Sequence, residues 1–179
     1  MMEKRMGKVN ISAAGGTAAK GAKTCKITLP TSWLTAMGIS EEQRSVELAF
    51  DGEKITVSCP LSKEQFENRA ITQGHLLRIF RYYDRDNLCS EIIADYTAQE
   101  ILAENYTSQY IKTAFGKSAL PTWADFTSFL EERCIPRQRA GLREYLEALG
   151  LDAYDPLEII RKTHGRMAED EQWIEVIEK

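Results

Sequence analysis

Residues 26–58 read KITLPTSWLTAMG, a polar link, and then SVELAFDGEKITVS. An alternating run leads into Pro30, a short amphipathic segment follows, Gly38 stops it, and two further alternating runs flank Asp51-Gly52. Period-2 alternation is the mark of half-buried strands, and Asp-Gly between two such runs is a strong hairpin signal. A Pro at the start and a Gly just past the end bracket a helix whose apolar face is Trp33, Leu34 and Met37. A unit of about fifty residues built this way has too little apolar bulk to close a core alone. Two interleaved copies would supply what one lacks.

The segment before it has a different character. Lys8-Val9-Asn10-Ile11-Ser12 and Thr24-Cys25-Lys26-Ile27-Thr28-Leu29 alternate, with Val9, Ile11, Cys25, Ile27 and Leu29 expected inward and Lys8, Asn10, Thr24, Lys26 and Thr28 outward. Between them AAGGTAAKGAK holds no large side chain, so its glycines permit close backbone approach to something bulky, and a polyanion is the obvious candidate.

Charge sharpens that expectation. The 179-residue chain has a net charge of −4 and a pI near 5.4, so any nucleic-acid contact must come from a local patch. Residues 1–26 hold Lys4, Arg5, Lys8, Lys20, Lys23 and Lys26 against Glu3 alone, a balance of +5 that leaves −9 for the remainder. The expected DNA-binding set is Lys4, Arg5, Lys8, Asn10, Thr17, Lys20, Lys23, Thr24 and Lys26. Lysines act as point charges, and guanine readout favours arginine, of which this segment has only Arg5. Shape and backbone recognition should therefore dominate. A solvated basic tail is the alternative reading of the same residues.

The residues Lys26-Ile27-Thr28-Leu29-Pro30, Leu34, Met37-Gly38-Ile39, Val46-Glu47-Leu48 and Asp51-Gly52-Glu53-Lys54-Ile55 resemble the AbrB/MazE/SpoVT family of transition-state regulators and antitoxins. The resemblance covers about a third of the chain. It implies a swapped-hairpin β-barrel dimer that presents a basic surface to double-stranded DNA. The sequence departs from the family pattern where an acidic-Gly-Arg turn usually precedes the LP strand, because Gly15-Gly16-Thr17 to Gly21 forms a longer loop there.

Pro60 ends this first domain, 1–60, and the polar stretch 61–73 reads as a linker. In the second domain, 74–179, strands are expected at 76–83, 88–96 and 100–106, with turns at Asp86-Asn87 and Thr97-Ala98. Helical stripes follow. Trp123, Phe126, Phe129 and Leu130 form one that ends at Pro136, and Leu142, Tyr145, Leu146 and Leu149 form another that Gly150 closes. Asp155-Pro156 starts a third helix through Leu157, Ile159 and Ile160, and Asp170 starts a fourth with Trp173, Ile174 and Ile177, so that helices occupy 122–178. The fold class expected is α+β: a swapped-hairpin barrel dimer, then a small antiparallel sheet and a C-terminal α-helical module.

Arg133, Arg137, Arg139 and Arg143 gather around Pro136. They either pair with Glu131, Glu132, Glu144 and Glu147 or form a second anionic or partner-docking surface. Residues 121–177, with FLEERCIPRQRAGLREYLEALGL and DPLEIIRKTHGRM, are similar to small accessory proteins of Firmicutes mobile elements and, more distantly, to a segment accompanying HipA-like kinases. The chain has none of the kinase motifs.

Chemistry is not expected. Cys25, Cys59, Cys89 and Cys134 form no CxxC pair and lie apart from His75 and His164, which disfavours a zinc site or a disulfide framework. No nucleophile motif is present, and carboxylates without a pocket signal are usually solvated charge. His164 is expected to cap or line a helix end beside Gly165. The expectation is a non-enzymatic, cytoplasmic protein with reduced thiols, no cofactor, no metal and no membrane contact, whose partners are DNA, a second copy, and possible toxin or nuclease proteins. A mobile-element inhibitor of anti-CRISPR type and a non-DNA-binding adaptor are the competing functions.

Overall fold

The computed structural model describes residues 3–16, 19 and 21–179 and divides into two units, Met1–Pro60 and Leu61–Lys179. In the first unit, β1 (Val9–Ala13) pairs antiparallel with β2 (Lys23–Ile27), and β3 (Glu47–Phe50) pairs antiparallel with β4 (Ile55–Ser58). Helix α1 (Thr31–Ala36) lies between the hairpins in sequence. Pro30 precedes it in extended geometry, and Gly38 follows at φ +75° while Ile39 N–H donates to Leu34 O at 2.9 Å. That left-handed stop needs glycine. The second hairpin turns through four residues, 51–54, rather than through Asp-Gly alone. Asp51 Oδ1 accepts the N–H groups of Glu53 and Lys54 at 3.0 Å each, and Gly52 takes φ +101°.

None of the described residues up to Pro60 is buried. Each hairpin has the alternation expected of it, but the apolar side of each faces open space within its unit. Val9, Ile11 and Ile27 are all more than half exposed, as are Leu48, Phe50 and Ile55. The inward positions named from the sequence are thus correct in parity and have no core beneath them.

The second unit is built around one four-stranded antiparallel sheet with strand order β7-β6-β5-β8. Its strands are β5 (Leu77–Asp84), β6 (Asn87–Asp95), β7 (Glu100–Asn105) and β8 (Gln172–Glu178). Helices α3 (Trp123–Glu132), α4 (Leu142–Leu149) and α5 (Pro156–Thr163) supply Phe126, Phe129, Leu130, Leu146, Ile159 and Ile160, which pack with Phe80, Tyr82, Ile92, Ala94 and Ile174 of the sheet. Aromatic edges fill the centre, with Phe80 and Phe126 at 5.0 Å and Tyr82 and Phe129 at 5.1 Å. On the other side α2 (Lys63–Thr72) lays Phe66 and Ala70 over Leu77, Ile79 and Ile93. The unit is therefore three layers, helix, sheet and helices. Among the described residues no sheet closes into a barrel on its own.

Two expectations are corrected here. The segment 61–73 is not a linker, because 63–72 is the helix α2, started by a capping box in which Ser62 Oγ accepts Gln65 N–H and Gln65 Oε1 accepts Ser62 N–H. Residues 172–178 are not a helix. Trp173, Ile174 and Ile177 fit helical spacing, but β-branched Ile174, Val176 and Ile177 suit a pleated surface, and β5 offers an open edge. Pairing along seven residues, from Arg78 opposite Glu178 to Asp84 opposite Gln172, decides the outcome.

Candidate functional site

The register of the first hairpin fixes which of the basic residues can act together. Asn10 lies directly opposite Lys26 and Ser12 opposite Thr24, and these four make one polar face. Val9 opposite Ile27 and Ile11 opposite Cys25 make the other. Lys23, opposite Ala13, shares the side of Cys25 and Ile27, so Lys23 and Lys26 do not form one continuous series. Lys8 leads into the hairpin and is exposed, as is Lys4. Ala14 and Ala22 close the ladder at 2.8 Å, and Gly16 and Gly21 beyond them take positive φ. Thr17 and Lys20, expected at the loop tip, lie outside the described residues.

Arg5 is not free. Its guanidinium pairs with Glu3 at 2.6 Å and stands 5.7 Å from the Trp33 ring centre, while Trp33 Nε1–H donates to Glu3 Oε2 at 2.8 Å. The Trp33 indole, and Arg5 after it, hold the Glu3 carboxyl below the ordinary carboxylate range. Arg5, the one arginine of the basic segment, thus ties the segment before β1 to α1 through an exposed pair, and the polar face of the hairpin carries lysine and hydroxyls.

The arginines around Pro136 separate into different roles. Arg133 is buried. Its Nε donates to Gly165 O at 3.0 Å, Nη1 to Asp170 Oδ2 at 2.6 Å, and Nη2 to Asp170 Oδ1 at 3.0 Å and to Gln172 O at 2.9 Å. It is a structural tie and not a surface contact. Arg137 pairs with Glu131 at 2.7 Å and lies 4.2 Å from the Tyr154 ring centre, and Arg143 pairs with Glu147 at 2.9 Å. Arg139 has no carboxylate partner among the described residues.

His164 caps the C-terminus of α5 in the left-handed region at φ 56°. Cys25 is exposed, Cys89 and Cys134 are buried, and all four cysteines are free. Burial pushes the Cys134 thiol up to about 12, so it stays protonated and inert. Among the described residues no group of three His, Cys, Asp or Glu could hold a metal ion, and no helix is long and apolar enough to cross a membrane.

Fold and site together define an α+β chain: a coreless pair of hairpins with one polar, lysine-bearing face, and a sheet-and-helix unit with its own core. No family model, no curated protein and no solved structure matches it.

Proposed function

We propose that this protein is a homodimeric double-stranded DNA-binding protein of the swapped-hairpin kind, used as a transcriptional regulator or as an antitoxin. One observation carries the reading: none of the described residues of the first unit is buried, yet each of its hairpins turns a full row of apolar side chains to one side. Val9, Ile11, Ile27, Val46, Leu48, Phe50 and Ile55 are the exposed members of those rows. At about 100 Å² apiece they offer roughly 700 Å², close to the ~800 Å² per partner of a standard interface. A second copy with the same two faces is the self-complementary occupant that a two-fold dimer needs.

Pairing the apolar sides leaves Asn10, Ser12, Thr24 and Lys26 outward, with Lys8 beside them, and a dimer doubles that set. Phosphate neutralisation releases condensed counterions, so the four lysines of that doubled set give a log–log salt slope of about −3.6 and a loss of affinity on the order of a hundredfold between about 50 and 200 mM salt.

The test is fluorescence anisotropy with duplex DNA across a salt series, on wild type and on K8A/K26A, with sizing in parallel. A steep slope that flattens in the variant while the dimer persists supports the proposal. Salt-independent or absent DNA affinity in an intact dimer defeats the DNA reading, and a monomeric wild type defeats the swapped-hairpin reading.

A further inference from the structure

A cavity of about 850 Å³ in the second unit lies between the loop joining α3 to α4 and the loop joining α5 to β8. Its size falls in the range of small-molecule sites. One wall carries Ile135, Pro136, Arg139 and Tyr145, and the other carries Thr163, Arg166 and Met167. We infer that this cleft binds a small phosphorylated ligand, gripped between Arg139 and Arg166. The inference concerns a different unit from the proposed DNA-binding face and stands or falls independently of it.

The charges make the argument. Residues 61–179 hold 15 bases against 21 acids, and three other arginines near the cleft have partners. Arg133 is matched by Asp170, Arg137 by Glu131 and Arg143 by Glu147. Arg139 and Arg166, one in each wall, have no carboxylate within 4 Å among the described residues. The Arg166 guanidinium instead stands 5.3 Å from the Trp173 ring centre, a cation–π contact that does not neutralise its charge. Two arginines without carboxylate partners in the lining of one cavity suit phosphate oxygens, which guanidinium groups bind through paired N–H donors.

The walls are held in place without a ligand. Arg133 binds Gly165 O and Asp170, Ile174 N–H donates to His164 O at 2.7 Å, and Gly165 N–H donates to Thr163 Oγ1 at 3.1 Å. Gly165 suits that place, since it takes φ +58° and a Cβ would press on Arg133 Cβ at 3.3 Å and Ile174 Cδ1 at 3.4 Å. Fixed walls reduce the ordering cost of binding. Glu169 also lines the cavity and, with the excess acid of the unit, opposes a long polyanion, whereas a single phosphoryl group on an apolar body can seat against Ile135, Pro136 and Met167.

The experiment is isothermal titration of the full-length protein with inorganic phosphate and with AMP, on wild type, R139A/R166A and R143A. The expected result is saturable binding of at least one probe with a Kd below about 1 mM, weakened at least tenfold in R139A/R166A and unchanged in R143A. Phenylglyoxal labelling of wild type, mapped by mass spectrometry, supplies a readout that needs no variant: the probe that binds should slow modification of Arg139 and Arg166 and leave Arg143 unaffected. No saturable signal from either probe up to about 10 mM, retained binding in R139A/R166A, or equal loss in R143A would overturn the inference. DNA affinity should be the same in R139A/R166A as in wild type, which separates failure here from failure of the DNA-binding proposal.

Discussion

Arg133 and Asp170 form a two-point ion pair, Nη1 to Oδ2 at 2.6 Å and Nη2 to Oδ1 at 3.0 Å, across 37 residues of chain. The pair fastens the end of α3 to the turn that enters β8, and the same guanidinium covers the Tyr82 ring at 5.6 Å. Removing one partner strands the other. D170A should lower the unfolding free energy of the second unit by about 3 kcal/mol, because the largely buried Arg133 charge loses its counterion. Urea denaturation followed by tryptophan fluorescence measures it, and a change below about 0.5 kcal/mol would show the tie to be dispensable.

The same pair gives the unit a definite acid limb. Hydrogen bonding from Arg133 holds the Asp170 carboxyl below its ordinary range. For buried Asp95, burial works the other way but is outweighed by the N–H groups of Ala98 and Thr97 and by His75, and for Glu91 burial is outweighed by Arg81 and Lys63. All three have folded values below the unfolded ones, so their contribution is fully present above the unfolded carboxylate pKa of about 4 and is lost as pH falls through the depressed folded values. Stability should be flat with respect to these groups near neutrality and fall below about pH 4. D170N should be less stable at neutral pH and show a shallower acid limb than wild type, measured by denaturation at a series of pH values.

How much of this was legible in the sequence depends on where the deciding interaction lay. Helices α3, α4 and α5 could be read because their stripes, their caps at Thr122 and Asp155, and their stops at Pro136 and Gly150 are local. So could the three strands before them. Helix α2 carried the same kind of local signal, Ser62-x-x-Gln65 ahead of Phe66, and the polarity of the stretch masked it. The fate of β8 was not local, because the sheet edge it joins lies about ninety residues earlier. Charge counting found the arginine cluster but could not sort it. Asp170, which takes Arg133, sits 37 residues away, and Arg166, which lines the cavity with Arg139, lies outside the arginine cluster in sequence. Lys23 and Lys26 fall on opposite faces by simple parity, a signal present in the sequence and outweighed there by their shared charge.

Phe50 gives the sharpest test of the proposed dimer. It stands opposite Ile55 on the second hairpin and is 70% exposed, so within one protomer F50D removes no buried contact and should change stability by no more than about 0.5 kcal/mol. In a dimer that buries this face, the introduced carboxylate is desolvated in an apolar interface. Analytical ultracentrifugation should then show the dimer weakened by at least about a hundredfold, with duplex DNA affinity lost alongside it. A variant that sediments as wild type would place the interface elsewhere.

Cys25 reports on the other hairpin without any mutation. It faces Ile11 across the ladder and is exposed in the single chain, whereas Cys89 and Cys134 are buried. Cys59 is half-buried, with its thiol donating to Met37 O at 2.9 Å. If a second copy covers the Val9, Ile11 and Ile27 side, maleimide labelling of Cys25 should slow by about tenfold or more as protein concentration rises through the dimer dissociation constant, since protection tracks the fraction bound. Cys89 and Cys134 should stay unlabelled throughout, and in F50D the Cys25 rate should hold at its dilute-limit value at every concentration. A rate independent of concentration in wild type would mean that the apolar side of the first hairpin stays open to solvent, and the homodimer would then have to be assembled through some other surface.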